Sequence, residues 1–208
     1  NILILVLFAT FITGLASEGL DRLWIAHFIK NFSFPNFLNI SLVMWIGIIN
    51  SSGLLISILI SQLIIARLDA KDDNRSTKLL FFINLIQSLT ICIFALAGNF
   101  NMAFVSYLSI YMLRKINEPL NSALISKVTD INIMSTVIST QGQINSIGQI
   151  IGGPIIGVIA TKFSISYGIL TTGIIILPSA FLYFMIHKEN SKKNPINFSF
   201  NYSSKNST

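Results

Sequence analysis

The sequence predicts an all-α integral membrane fold of six transmembrane helices, and three observations predict it. Apolar residues make up 52% of the 208-residue chain and charged residues only 11%, against about 25% charged in ordinary soluble domains. Long runs of Ile, Leu and Phe alternate with short polar stretches, at the length of about 20 residues that a helix needs to cross a bilayer. The basic residues fall unevenly among those stretches, in a pattern that an even number of crossings produces.

The first helix is expected over residues 2–28. A signal peptide over 2–16, with Gly14-Leu15-Ala16 as its cleavage site, is rejected because a basic leading segment is missing and further spans follow. Residues 31–39, with Pro35, form a loop, and the second helix covers 40–66. A charged connector leads to the third helix, 79–97, and Gly98-Asn99-Phe100-Asn101 makes a tight turn. The fourth helix is set by length. Its apolar part, 102–113, covers only about 18 Å of a hydrocarbon core about 30 Å thick. It must therefore continue through Arg114-Lys115-Ile116-Asn117-Glu118-Pro119 to residue 126, unless it stops at Leu113 and leaves the charges in a loop. The fifth helix is expected over 136–160 and the sixth over 167–186. Residues 1–186 thus form one transmembrane bundle, and 187–208, rich in Asn, Ser and Lys, read as a disordered cytoplasmic tail.

Six crossings put both ends of this segment on one side. The loops and tail of that side carry nine basic residues: Arg67, Lys71, Arg75, Lys78, Lys127, Lys188, Lys192, Lys193 and Lys205. The opposite loops carry only Lys30 and Lys162. The positive-inside rule places the first side in the cytoplasm. The net charge of +6 therefore reflects topology and does not point to nucleic acid. The single Cys92 excludes an internal disulfide, and His27 and His187 are too far apart for metal-ligand spacing. No phosphate loop or nucleophile–base arrangement is present, so neither an enzyme nor a bound metal or cofactor is expected. Asn-x-Ser/Thr triplets such as Asn31-Phe32-Ser33 arise by chance in a chain this rich in Asn and Ser. The chain opens with Asn inside an apolar run, and is read as a fragment of a longer protein.

Two helices hold the charges that lie within the membrane. On the first, Glu18, Asp21 and Arg22 share one face; on the fourth, Arg114, Asn117, Glu118 and Asn121 do. Internal pairs Glu18–Arg22 and Arg114–Glu118 are within reach. Two readings stand: the pairs only neutralise each other and fix packing, or they line a polar cavity and change partner or protonation as the protein switches. The charged helices are the first and fourth, so each leads a triplet, as in transporters built from three-helix units of inverted topology. Glu18 lies about 24 Å from the inner end and Arg114 about 18 Å from the outer end, so a direct bond between these two does not follow.

The fifth helix carries Gln141, Gln143, Asn145 and Gln149 with Gly142, Gly148, Gly152, Gly153 and Gly157. Its Gly148-x-x-x-Gly152 and Gly153-x-x-x-Gly157 spacings allow close helix approach, although such packing is common in helical membrane proteins. Ser51, Ser52, Gly53 and Ser57 of the second helix offer matching small residues. Pro154 predicts a local bend, and together these features suit a gate.

These residues carry a resemblance. Ser17-Glu18-Gly19-Leu20-Asp21-Arg22-Leu23-Trp24, Arg114 through Glu118-Pro119-Leu120, Ser139, Gln143-Ile144-Asn145-Ser146-Ile147-Gly148-Gln149 and Gly152-Gly153-Pro154-x-x-Gly157 are similar to the C-terminal half of a major facilitator superfamily transporter. The branch they most resemble is that of the bacterial macrolide-efflux-like, proton-coupled drug exporters. The resemblance covers residues 1 to about 187 and implies one half of a twelve-helix fold, helices seven to twelve, as two three-helix inverted repeats. It implies a multi-pass protein of a bacterial cell membrane, completed by a missing N-terminal six-helix half. Its partners would be a small-molecule substrate, protons and the lipid bilayer. The first and fourth helices would line the central cavity and the fifth would gate it. The superfamily's cytoplasmic Gly-x-x-x-Asp-Arg-x-Gly-Arg loop has lost its glycines here, and only a locking role for Asp69 and Arg75 carries over. The expected function is thus proton-coupled efflux of hydrophobic or amphipathic molecules by alternating access, with Glu18, Asp21, Arg22, Arg114 and Glu118 as the polar site. The alternatives are an uptake transporter of the same fold for a sugar or organic ion, and a truncated remnant without activity.

Overall fold

The computed structural model describes residues 2–35, 40–67 and 73–193, without the side chains of 60, 61, 63–67, 73–75 and 191–193. The described residues form six helices: α1 (Ile2–Asn31), α2 (Leu42–Arg67), α3 (Asp73–Ala95), α4 (Phe100–Val128), α5 (Met134–Lys162) and α6 (Ile165–Lys193). Five of them are long and apolar enough to cross a membrane. The exception is α4, which holds the charges yet runs as one helix of 29 residues through them and through Pro119. The length argument therefore holds, and a helix stopping at Leu113 is excluded.

Short polar side chains start three of the helices where an unpaired backbone N–H needs an acceptor. Asn99 Oδ1 accepts from the Met102 N–H at 2.8 Å. Ser41 Oγ accepts from Met44 N–H at 3.4 Å and Ser164 Oγ from Tyr167 N–H at 3.2 Å. The Gly98–Asn101 turn is therefore shorter than expected, because Asn99 already caps α4. Helices also overrun the apolar runs. α3 begins at Asp73 instead of 79, and α6 continues to Lys193 instead of ending at 186. Backbone hydrogen bonding does not stop where the hydrocarbon does, and Lys and Glu are good helix formers in water. Residues 194–208, on which the rest of the tail expectation falls, lie outside the described residues.

Side-chain contacts fix the directions of the helices. α1 and α4 are antiparallel: Thr10 meets Asn121, Asp21 meets Arg114, and Trp24 stacks on Tyr107. α3 and α6 are antiparallel through Ser88 with Gly173 and Asn84 with Ser179. α1 lies between α5 and α6, α4 lies between α2 and α3, and α1 touches α4 lightly. Exchanging α1, α2 and α3 with α4, α5 and α6 leaves these neighbour relations unchanged; the contacts of α5 with α6 and α4 break the pattern.

Two apolar clusters fill the bundle. One, at the N-terminal end of α1, includes Val6, Leu80, Leu124 and Tyr183. The other, at the opposite end, is aromatic. Phe28 is fully buried there and touches the rings of Trp24, Phe32, Phe34, Phe94, Phe100 and Tyr107. Beside it His27 Nε2 bonds to the Phe94 carbonyl at 3.0 Å, and Asn31 Nδ2 to His27 Nδ1 at 2.7 Å. Asn31 must donate to Nδ1, so Nε2 carries the proton that Phe94 accepts.

Candidate functional site

Arg114 sits near the middle of α4, about 21 Å from its first residue. Its Nη1 and Nη2 donate to Oδ1 and Oδ2 of Asp21 at 2.5 and 2.8 Å. A planar guanidinium fork matches both oxygens of a carboxylate that faces it from another helix. This replaces the anticipated Arg114–Glu118 pair, in which the side chains would have to bend along a single helix. Glu118 instead receives Lys115 Nζ at 3.3 Å on each oxygen. The Glu18–Arg22 pair forms as anticipated, with Arg22 Nε donating to Glu18 Oε1. These charges are far from sealed: the side chains of Arg22 and Glu118 are 74% and 66% exposed.

A neutral polar network backs the pairs. Asn84 of α3 is its hub: Nδ2 donates to the Leu80 carbonyl at 2.8 Å, while Oδ1 accepts from Asn117 Nδ2 at 3.2 Å and lies 3.1 Å from Ser179 Oγ, which also donates to the Ile176 carbonyl at 2.7 Å. Asn121 Nδ2 donates to Thr10 Oγ1 at 3.4 Å. The network ties α4 to α1, α3 and α6 one to two turns from Arg114.

Between these elements lies a cavity of about 410 Å³, inside the range of small-molecule sites. Arg114, Asn117, Glu118, Asn121, Asn145 and Gln149 line it, so the structure brings together polar residues of the fourth and fifth helices. Exposed Glu118, Ser122 and Gly142 form part of the wall, so the cavity opens at the bundle surface. It lies between the two apolar clusters, with the Phe28 cluster beyond one side and the Val6 cluster beyond the other. Glu18 and Arg22 do not line it. They face an adjoining groove of about 540 Å³ with Gln149, Gly153 and Pro154. Asp21 joins the site through Arg114.

The glycines of α5 divide by face. A Cβ on Gly148 would lie 2.5 Å from the Phe11 carbonyl oxygen, and one on Gly152 would strike the Leu15 backbone. These two are where α5 lies against α1, with Gly14 of α1 opposite Asn145. Gly153 faces the Glu18 side chain at 3.0 Å, and Gly157 has open space. Only the first of the two glycine spacings is therefore a packing motif. The small residues of α2 are not its partner, since Gly53 lies against the Tyr111 ring of α4. Gln143 is exposed and stands outside the cavity lining, because it projects from α5 away from the Gln141, Asn145 and Gln149 face. Pro154 lies within an α5 that is continuous from Met134 to Lys162. Asp69 falls outside the described residues; Arg75 lies in the first turn of α3, but its side chain is not described.

Sequence reasoning missed the contributions of α3 and α6. Gln87 and Thr172 line the cavity, and Asn84 and Ser179 brace its wall. A signal was available, since Asn84, Gln87 and Ser88 share one helical face inside an otherwise apolar run. Thr10, Thr13 and Ser17 likewise continue the polar stripe of α1 into the cavity. Comparison of the chain with protein-family models and with curated protein sequences finds no match to either.

Proposed function

We propose that the chain is half of a secondary active transporter of the major facilitator type, built from two three-helix units of inverted topology. It works by alternating access and exports hydrophobic or amphipathic molecules in exchange for protons. The observation that carries this reading is the placement of the Asp21–Arg114 bond. It joins two antiparallel helices at mid-depth beside a polar cavity that lies between the two apolar clusters. A polar solute site near the midplane, between helices that lead the two repeats, is the arrangement such transporters use. The neighbour relations that survive exchange of the two helix triplets support the repeat. Asp21, Arg22, Lys115 and Glu118 lie partly uncovered. Charges near mid-membrane are costly against lipid, so a further six-helix half covers them in the working protein. We take the basic loops and tail to lie in the cytoplasm and the cavity to be reached from that side. Glu118, at the cavity lip, is the carboxylate placed to exchange protons. One observation favours a second reading, uptake of a polar solute such as a sugar: Thr, Ser, Asn and Gln side chains make up much of the lining. Counterflow against preloaded solute separates the two directions.

Cysteine accessibility tests the reading. In a Cys92→Ser background, Ser17→Cys places a thiol in the cavity wall. A membrane-impermeant maleimide should label it faster in inside-out vesicles than in right-side-out ones, and a proton gradient should shift that ratio. Equal labelling from both sides, indifferent to the gradient, would contradict alternating access.

A further inference from the structure

Two carboxamides in the cavity wall hold oxygens with nothing to accept from. Gln87 of α3 and Asn121 of α4 are 5% and 9% exposed, and both line the cavity. Gln87 Oε1 and Asn121 Oδ1 are buried and have no hydrogen-bond partner among the described residues. Donors are not scarce around them. Asn84, one turn from Gln87, has its oxygen satisfied by Asn117 Nδ2 at 3.2 Å, and Ser88 Oγ donates to the Gly173 carbonyl at 2.7 Å. The orientation of Asn121 is also fixed. Thr10 Oγ1 spends its proton on the Val6 carbonyl at 3.0 Å, so it can only accept from Asn121. The amide must turn its NH₂ group to Thr10 and its oxygen away. An acceptor buried without a donor is destabilising, and native folds leave few of them. Apolar side chains of Leu20, Ile91 and Ile176 line the same cavity.

We infer that Gln87 and Asn121 form a recognition subsite for a hydrogen-bond donor, an O–H or N–H group at one end of a small amphipathic ligand whose apolar body lies against Leu20, Ile91 and Ile176. The ligand is the cargo on the transport reading above, on which that one word rests; the subsite is a binding claim and is tested without a gradient. An ammonium and a hydroxyl share the required chemistry, whereas a quaternary ammonium lacks it.

The experiment measures protection of Ser17→Cys, in the Cys92→Ser full chain held in native-membrane nanodiscs, from maleimide labelling. The probes are hexylammonium, hexyl glucoside and hexyltrimethylammonium, equal in alkyl length. At least one donor-bearing probe should protect saturably, and hexyltrimethylammonium should not. The better of the two donor probes identifies the donor as ammonium or hydroxyl. Gln87→Met and Asn121→Leu should each weaken that protection about tenfold, the loss of one good hydrogen bond. Labelling rates without probe report whether each variant keeps its cavity, and the three-probe comparison needs neither variant. Equal protection by all three probes, protection by none, or protection unchanged in both intact variants would overturn the subsite. If protection holds but gradient-driven transport is absent, the transport reading falls and the subsite stands; the reverse result removes only the subsite.

Discussion

Asp21 and Arg114 hold each other from opposite helices, and among the described residues neither has a second charged partner as close. Removing one leaves the other alone at mid-depth. Asp21→Asn or Arg114→Gln should therefore lower stability by about 2 kcal/mol, below the usual penalty for breaking a fully buried pair because Asp21 is half exposed. The exchange Asp21→Arg with Arg114→Asp should recover stability to within about 1 kcal/mol of the original. Thermal melts of the three variants in nanodiscs check this, and an exchange variant no better than the singles would reject the pairing. The sequence shows both residues on polar faces of their own helices, because a spacing of three or four determines neighbours within a helix. It could not show which residues meet between helices. That depends on how far α1 slides along α4, and the slide is fixed by Trp24 on Tyr107 and Thr10 at Asn121. The unpaired Gln87 and Asn121 oxygens were illegible for the same reason.

At the scale of the element, α5 shows how a glycine motif is half readable. Its spacing marks close approach to some helix. Whether a glycine is used depends on the face that packing selects. Gly148 and Gly152 lie against α1, while Gly157 faces open space. Gly152→Ala should separate α5 from α1 and cost about 1–3 kcal/mol, as overpacking does. Gly157→Ala should leave stability unchanged or raise it by up to about 1 kcal/mol through helix propensity. Melting temperatures of the two variants give the comparison, and equal effects would mean that α5 does not pack through Gly152. Helix ends were the least legible part of the fold. Apolar runs report hydrocarbon depth, whereas α3 and α6 continue as helix beyond the limits those runs set. The cap at Asn99 was readable as a turn residue but not as the first anchor of α4.

At the scale of the molecule, composition alone makes the chain an α-helical membrane protein, because so few charges and so long apolar runs leave water no role as the main solvent. The charged interruption of α4 was legible through length, since an apolar part of twelve residues could not cross the bilayer by itself. What composition could not give is the placement of the cavity, which lies between the aromatic cluster around Phe28 and the Val6 cluster at the other end. The most direct test of the central claim is gradient-driven movement of an amphipathic fluorescent dye into inside-out vesicles from cells producing the protein. Dye accumulation should require an inward-acid gradient, collapse with a protonophore, and fall at least tenfold in both Glu118→Gln and Asp21→Asn at equal protein level. Accumulation that ignores the gradient, or that both variants retain in full, would contradict a proton-coupled transporter organised around this site.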